Sequence, residues 1–85
     1  MRFTEGALML LAMWDQSSEI LTITRANGQR FSYNGSAILA GSHKVFGVET
    51  VGGEVHVLTG PNTNRLPNRR VIFSDSAAYR GSKGL

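Results

Sequence analysis

The 85-residue sequence contains no cysteine, only two prolines and no long hydrophobic run. The missing thiols exclude disulfide bonds and thiolate metal sites, and they give no reason to place the chain in an oxidising compartment. The apolar stretch at residues 7–14 is far shorter than the roughly 20 residues that a membrane-spanning helix needs. We therefore expect a cytoplasmic protein with no membrane partner.

The length of the chain limits its architecture to one domain. A chain of this size buries only about 60–65% of the surface that its unfolded form exposes, so its core is thin. We expect the protein to gain stability by forming homo-oligomers. The sequence predicts a single β-rich domain over residues 1–81 and a flexible C-terminal tail over residues 82–85.

Most of the sequence has the composition of β-structure. From residue 20 onward, short segments rich in Val, Ile, Thr, Phe and Tyr alternate with Gly and Asn, which is typical of a small antiparallel β protein. The run at residues 6–14 has no β-branched residue and favours a helix capped by Thr4, although a buried strand has nearly the same pattern. We predict a mainly-β fold, a small antiparallel barrel or twisted sheet of about five strands with a short N-terminal helix.

A first hairpin is predicted over residues 20–33. A two-residue loop at Asn27-Gly28 would distribute its large apolar side chains over both faces. A type I turn followed by Gly28 in the left-handed conformation instead pairs Ile23 with Phe31. Burial of one face fixes the register of a hairpin, so we predict this second arrangement. It places four apolar side chains on one face: Leu21, Ile23, Phe31 and Tyr33.

A second hairpin is predicted over residues 44–59, with a two-residue loop at Gly52-Gly53. That loop pairs Val48 with Val57 and Phe46 with Thr59, and it sets Glu49 opposite His56. One face then carries the apolar side chains Phe46, Val48, Val55 and Val57.

The C-terminal part of the chain is expected to add one more strand. A strand over residues 69–74 would point Val71 and Phe73 inward and Arg70 and Ile72 outward. Residues 75–80 are predicted to form a single helical turn.

The basic residues are concentrated near the C-terminus. Residues 62–85 carry five basic residues and one acidic residue, a net charge of +4, whereas residues 1–61 carry four basic and five acidic residues, a net charge of −1. The net charge of +3 of the whole chain therefore comes from its last quarter. Basic residues gathered in one region attract phosphate, nucleic acid or an acidic protein surface.

Residues 59–70, TGPNTNRLPNRR, form a polar and basic segment that holds both prolines. Arginine presents a planar group of donors that suits phosphate oxygens, asparagine can donate and accept toward a base edge, and proline stiffens a loop. Glycine, proline and asparagine are also ordinary turn formers, so a purely structural loop is the alternative. We predict ligand-binding roles for Thr59, Asn62, Asn64, Arg65, Asn68, Arg69 and Arg70, with Arg80 and Lys83 assisting.

The histidines and aromatic residues offer weaker signals. His56 faces Glu49 in the predicted hairpin, a pairing more typical of an exposed cross-strand contact than of a catalytic dyad. His43 lies in a turn and is a candidate ligand contact, while Trp14 and Tyr79 remain as aromatic residues able to stack on a base.

The chain lacks the residue patterns of catalysis and of metal binding. Two separated histidines and dispersed carboxylates do not form a nucleophile–base–orienter set, a zinc site or a calcium loop. Neither of the two common glycine-rich phosphate motifs occurs. We expect no enzymatic activity, no catalytic residue, no metal and no cofactor.

These observations predict a non-enzymatic binding module for a phosphate-bearing ligand, either nucleic acid or a phosphorylated small molecule such as a nucleotide, held by residues 59–70. The alternative is a homo-oligomeric structural or assembly protein, for example an accessory protein of a phage or mobile element. In that case outward Val51, Leu58 and Ile72 would meet copies of the same chain, and the loop would contact a protein partner.

Overall fold

A computed structural model describes residues 10–39 and 41–85. In these two ranges the chain forms a helix of four residues, α1 (Gly35–Ile38), and a series of strands. The strands are β1 (Leu10–Asp15), β2 (Ile20–Arg25), β3 (Arg30–Asn34), β4 (His43–Val51), β5 (Glu54–Pro61), β6 (Arg69–Phe73) and β7 (Tyr79–Gly84). A helix able to cross a membrane is not found in this part of the chain.

The strands of the described residues form two antiparallel sheets, with the strand orders β1-β2-β3 and β4-β5-β6-β7. The prediction of a mainly-β antiparallel fold is therefore confirmed. Of the two predicted arrangements, the barrel is wrong, because the sheets remain open. The predicted number of about five strands is wrong as well, because the described ranges contain seven strands in two sheets. The two strands that were not predicted from the sequence are β1 and β7.

The expected N-terminal helix is wrong in the part that the structure describes. Leu10–Asp15 pairs with β2 along its whole length, from Leu10 opposite Arg25 to Asp15 opposite Ile20. The rest of the expected helix, residues 6–9, and its expected cap Thr4 lie outside the described residues. Pairing with a neighbouring strand overrides the helix propensity of Leu, Ala and Met in this segment.

The first hairpin has the predicted register. Ile23 pairs with Phe31, and Gly28 has a positive φ of 90°. The Gly28 N–H donates to the Arg25 carbonyl at 2.9 Å, which closes the turn. Ile23 is fully buried and Phe31 packs against the core, so the predicted apolar face is the one that the fold buries.

The second hairpin is confirmed near its turn and wrong at its far end. Val48 pairs with Val57, as predicted, but Val45 rather than Phe46 pairs with Thr59. Phe46 is the extra residue of a β-bulge, which shifts the register by one position. Its ring lies over Gly60 instead, where an added Cβ would approach the Phe46 Cε1 atom to 3.2 Å.

The C-terminal segment differs from the prediction. Val71 and Phe73 are buried in β6, as expected. The predicted helical turn at residues 75–80 is wrong, since a tight turn closed by the Ala77 N–H and the Ser74 carbonyl at 2.7 Å leads directly into β7. Residues 82–84 of the expected tail pair with β6 as part of β7.

The two sheets share one hydrophobic core, to which α1 also contributes. The rings of Tyr33 and Phe73, one from each sheet, have their centroids 4.6 Å apart. The Thr50 hydroxyl of β4 donates to the Leu10 carbonyl of β1 at 3.3 Å, which joins the sheets at one side. The buried apolar residues are Leu10, Leu21, Ile23, Ile38, Val55, Val57, Val71, Phe73 and Ala77.

Candidate functional site

One end of the four-stranded sheet collects most of the predicted ligand-binding residues. Antiparallel pairing places His43 opposite Pro61 and Arg69 opposite Gly84, and residues 62–68 connect β5 to β6 at this end. We refer to residues 43–44, 60–69 and 83–85 as the loop end. It contains six of the predicted site residues: Asn62, Asn64, Arg65, Asn68, Arg69 and Lys83.

The backbone of the 62–68 loop is fixed at both of its ends. The Asn62 N–H donates to the Ser42 carbonyl at 2.9 Å, and the Asn68 N–H donates to the Thr59 carbonyl at 3.0 Å. The Asn68 carbonyl accepts from the Leu85 N–H at 3.1 Å, which ties the loop to the end of β7. A loop held in this way loses less conformational entropy when it binds a ligand.

Three of the predicted site residues have other surroundings. The Thr59 side chain is only 1% exposed and faces the core, so a ligand at the loop end does not reach it in this conformation. Arg70 and Arg80 take part in a connected set of ion pairs. The Arg70 Nη1 donates to the Glu49 Oε1 at 3.0 Å, and the Arg80 Nη1 lies 3.6 Å from the Glu54 Oε2.

These ion pairs meet at His56. The Arg70 Nη1 donates to the His56 Nδ1 at 3.2 Å, and the His56 Nε2 lies 3.2 Å from the Glu54 Oε1. We call the connected residues Glu49, Arg70, His56, Glu54 and Arg80 the charge network. It lies on the face of the four-stranded sheet that points away from the core.

His56 is only 7% exposed, in contrast to the surface position expected from the sequence. The predicted pairing of Glu49 with His56 across β4 and β5 is confirmed, but Arg70 bonds to both side chains and links them. Because arginine has no acceptor, the His56 Nδ1 must be the unprotonated nitrogen in this contact. The proton of the neutral ring then lies on Nε2 and is donated to Glu54.

Four basic side chains at the loop end make no ion pair with any described residue: Lys44, Arg65, Arg69 and Lys83. The Arg69 Nε is buried and has no hydrogen-bond partner in the described part of the chain. The Lys44 ammonium lies 4.7 Å from the centroid of the Phe46 ring, at cation–π distance. The loop end is therefore positively charged and retains unused donors, whereas the charge network is internally neutralised.

A groove lies beside the loop end. It has a volume of about 340 Å³, and a second cavity of about 300 Å³ shares Glu19, Leu39 and His43 with it. We call the two together the Trp14 groove. The larger part is lined by Trp14, Gln16, Glu19, Leu39, His43, Lys44, Val45 and Asn62.

The turn between β1 and β2 shapes one wall of this groove. The Asp15 carboxylate accepts from both the backbone N–H and the hydroxyl of Ser17, at 3.0 and 2.9 Å. Hydrogen bonds from the Ser17 hydroxyl and backbone hold the pKa of Asp15 below its usual range. The Glu19 N–H donates to the Asp15 carbonyl at 2.7 Å, and Glu19 has a positive φ of 56°.

Gly35 allows the two walls of the groove to approach each other. Its N–H donates to the Glu19 carbonyl at 2.6 Å. A Cβ at this position would lie 3.0 Å from the Glu19 Cβ and 3.2 Å from the Trp14 Cη2. Only glycine leaves room for both side chains in these positions.

Sequence reasoning identified parts of the groove but not the groove itself. Asn62 was a predicted ligand contact, and His43 and Trp14 were separate candidates. Their proximity depends on how the two sheets pack, and Trp14 and Asn62 are far apart in the chain. The described residues contain no group of three His, Asp or Glu side chains able to hold a metal ion.

Comparison of the chain with protein families, with curated proteins and with solved structures gave no match.

Proposed function

We propose that this protein is a non-enzymatic binding module for a phosphate-bearing ligand, a nucleotide or nucleic acid, which it holds at the loop end. The observation that supports this function is the difference between the two sets of basic residues. Arg70 and Arg80 are paired with carboxylates, while Lys44, Arg65, Arg69 and Lys83 have no such partner among the described residues.

Arginine and lysine at the loop end supply the donors that phosphate requires. The guanidinium groups of Arg65 and Arg69 suit bidentate contacts with phosphate oxygens, and lysine adds a compact positive charge. Arg65 is exposed on the anchored loop, so it reaches a ligand without rearrangement of the backbone. Asn62 and Asn68 add neutral donors and acceptors at the two ends of the same loop.

The charge network lies outside this site, but it offsets a positive charge next to Lys83. Arg70 and Lys83 are direct cross-strand neighbours on β6 and β7, a pairing of like charges that is unfavourable by itself. Glu49 offsets the charge of Arg70 through the 3.0 Å ion pair. Lys83 then stays available for a ligand, while Arg70 has a structural role.

The direct test is a titration of the purified protein with labelled single-stranded and double-stranded DNA and RNA, and with nucleotides, at two salt concentrations. Release of counterions makes phosphate binding weaken as salt rises, so we expect salt-sensitive binding of at least one of these ligands. Absence of binding by every one of them would contradict the proposed function.

A second candidate function, homo-oligomeric assembly, is favoured by the outer face of the three-stranded sheet. Leu11 and Met13 of β1 are 66% and 72% exposed on this face, and together with Ala12, Thr22, Thr24 and Arg30 they line a cavity of about 420 Å³. Of the outward residues predicted to meet another copy, Val51 is exposed, while Leu58 and Ile72 are half-buried. Light scattering that shows a stable oligomer indifferent to nucleic acid and nucleotides would favour assembly.

A further inference from the structure

The Trp14 groove and the loop end are continuous. His43, Lys44 and Asn62 belong to both, because each lines the groove and lies at the end of the sheet where the unpaired cations gather. The Asn62 backbone is fixed next to the groove by its hydrogen bond to Ser42 at 2.9 Å. A ligand with its phosphate at the loop end therefore has a cavity beside it for the rest of the molecule.

The size of the groove suits one heterocycle and its sugar. Small-molecule sites have volumes of roughly 300–1,000 Å³, and the larger part of the groove, at about 340 Å³, lies near the lower limit. Trp14 and Leu39 provide apolar contact surface, and an indole is a suitable stacking partner for a base.

The polar side chains of the groove have unused hydrogen-bonding capacity. Glu19 is the carboxylate that lines both parts of the groove, and its side chain makes no hydrogen bond or ion pair with a described residue. The His43 Nδ1 is buried and likewise has no partner in the described ranges. Buried polar atoms of folded proteins are normally satisfied, so the His43 Nδ1 indicates a polar ligand rather than an apolar one. Glu19 is exposed, so its carboxylate is accessible to such a ligand.

From these observations we infer that the Trp14 groove binds the base of a nucleotide, and that guanine is the base it prefers. A carboxylate accepts two adjacent N–H groups, and guanine presents N1–H and its N2 amino group side by side. Adenine and cytosine present an amino group next to an acceptor nitrogen, which a carboxylate repels. This inference rests on the proposed function and adds to it the chemical class of the ligand.

The single tryptophan of the chain makes the inference measurable. Trp14 emission is followed while the protein is titrated with guanosine monophosphate, adenosine monophosphate and ribose 5-phosphate, and calorimetry records total binding for each. We expect guanosine monophosphate to change the emission saturably and to bind more tightly than adenosine monophosphate. Ribose 5-phosphate should bind at the loop end without changing the emission.

The variant Glu19→Gln tests the role of the carboxylate. Loss of a charge-assisted hydrogen bond should weaken binding of guanosine monophosphate about tenfold or more, and it should weaken binding of adenosine monophosphate much less. Asp75→Asn is the matched control, because it removes one exposed carboxylate in the turn between β6 and β7. It should bind both nucleotides as the unmodified protein does.

The outcomes separate the inference from the proposed function. The inference is wrong if the nucleotides bind without any change in Trp14 emission. It is also wrong if guanosine and adenosine monophosphate bind with equal affinity both to the unmodified protein and to Glu19→Gln. Either result would leave phosphate binding at the loop end intact. If none of these probes binds and nucleic acid does not bind either, both the inference and the proposed function are wrong.

Discussion

Arg70 of β6 donates a hydrogen bond to the Nδ1 atom of His56 on β5, at a distance of 3.2 Å, while the same nitrogen of Arg70 donates to Glu49 at 3.0 Å. One guanidinium group thus satisfies a nearly buried imidazole and a carboxylate at the same time. Arg70, one of the predicted ligand-binding arginines, therefore has two of its donors occupied within the protein.

The contact requires His56 to carry its proton on Nε2 when the ring is neutral. A nitrogen-15 NMR spectrum of the folded protein should show this tautomer, with Nδ1 as the unprotonated nitrogen. In Arg70→Ala, Nδ1 loses its donor and the tautomer preference should weaken. A neutral His56 protonated on Nδ1 in the unmodified protein would contradict the geometry of the charge network.

Replacement of Arg70 by alanine should lower the free energy of unfolding by about 1–3 kcal/mol, because a nearly buried acceptor and a carboxylate both lose their partner. Chemical denaturation measures this change. Arg65→Ala is the control, since it removes the same side chain from an exposed loop position and should change stability by less than about 0.5 kcal/mol. Equal stability of the two variants would argue against the charge network as a structural element.

Gly28→Ala and Gly47→Ala form a matched pair for the conformation of the first hairpin. An added Cβ meets no atom within 4 Å at either position, but only Gly28 has a positive φ, of 90°. The strain of the left-handed region should cost about 1–2 kcal/mol in Gly28→Ala. Gly47→Ala should be near neutral, and thermal or chemical denaturation that shows equal effects would contradict the proposed turn geometry.

Gly35→Ala should disturb the wall of the Trp14 groove. Its Cβ would lie 3.0 Å from the Glu19 Cβ and 3.2 Å from the Trp14 Cη2, so one of the two must move. Overpacking of this kind costs typically about 1–3 kcal/mol, and the emission of Trp14 should shift as well. Gly84→Ala, whose Cβ would be an ordinary 3.8 Å from the nearest atom, should leave both stability and emission unchanged.

The Asp15 carboxylate gives the β1–β2 turn a pH dependence. Its pKa is lowered in the folded protein by the hydrogen bonds from Ser17, so the folded state favours the ionised form. The resulting stabilisation is fully present above the ordinary value of 3.8 and is lost as the pH falls through the lower folded pKa. Asp15→Asn should therefore lose less stability in acid than the unmodified protein does. Unfolding at a series of pH values measures this difference. The same dependence of stability on pH in both proteins would be evidence against the turn contacts.

The features predicted most accurately from the sequence are those that depend on residues close together in the chain. The register of the first hairpin followed from its turn residues and from the need to bury Ile23 and Phe31 together, and both requirements can be read within a short segment. The β-bulge at Phe46 could not be predicted, because the adjacent apolar residues Val45 and Phe46 are both suitable for the core and the sequence does not show which of them pairs with Thr59. The bulge also moves Phe46 away from the core and places it over Gly60.

The missed strands depend on contacts between distant segments. β1 has a helix-favouring composition and becomes a strand because β2 offers a complete ladder. The turn before β7 depends on Ala77 at a positive φ of 64°, a conformation that alanine rarely adopts. The same limit applies to the site, since the loop was visible in the sequence but its proximity to Trp14 is a result of sheet packing.

The central claim is that the unpaired cations of the loop end, rather than the net charge of the protein, bind the phosphate. The most direct measurement compares Arg65→Ala with Arg80→Ala in binding to a labelled single-stranded oligonucleotide at several salt concentrations. Each variant loses one exposed arginine, but Arg80 is paired with Glu54 in the charge network. The account predicts that Arg65→Ala binds more weakly, with a salt slope reduced by about one unit, while Arg80→Ala keeps the unmodified affinity and slope. Equal losses in the two variants, or full affinity in Arg65→Ala, would contradict it.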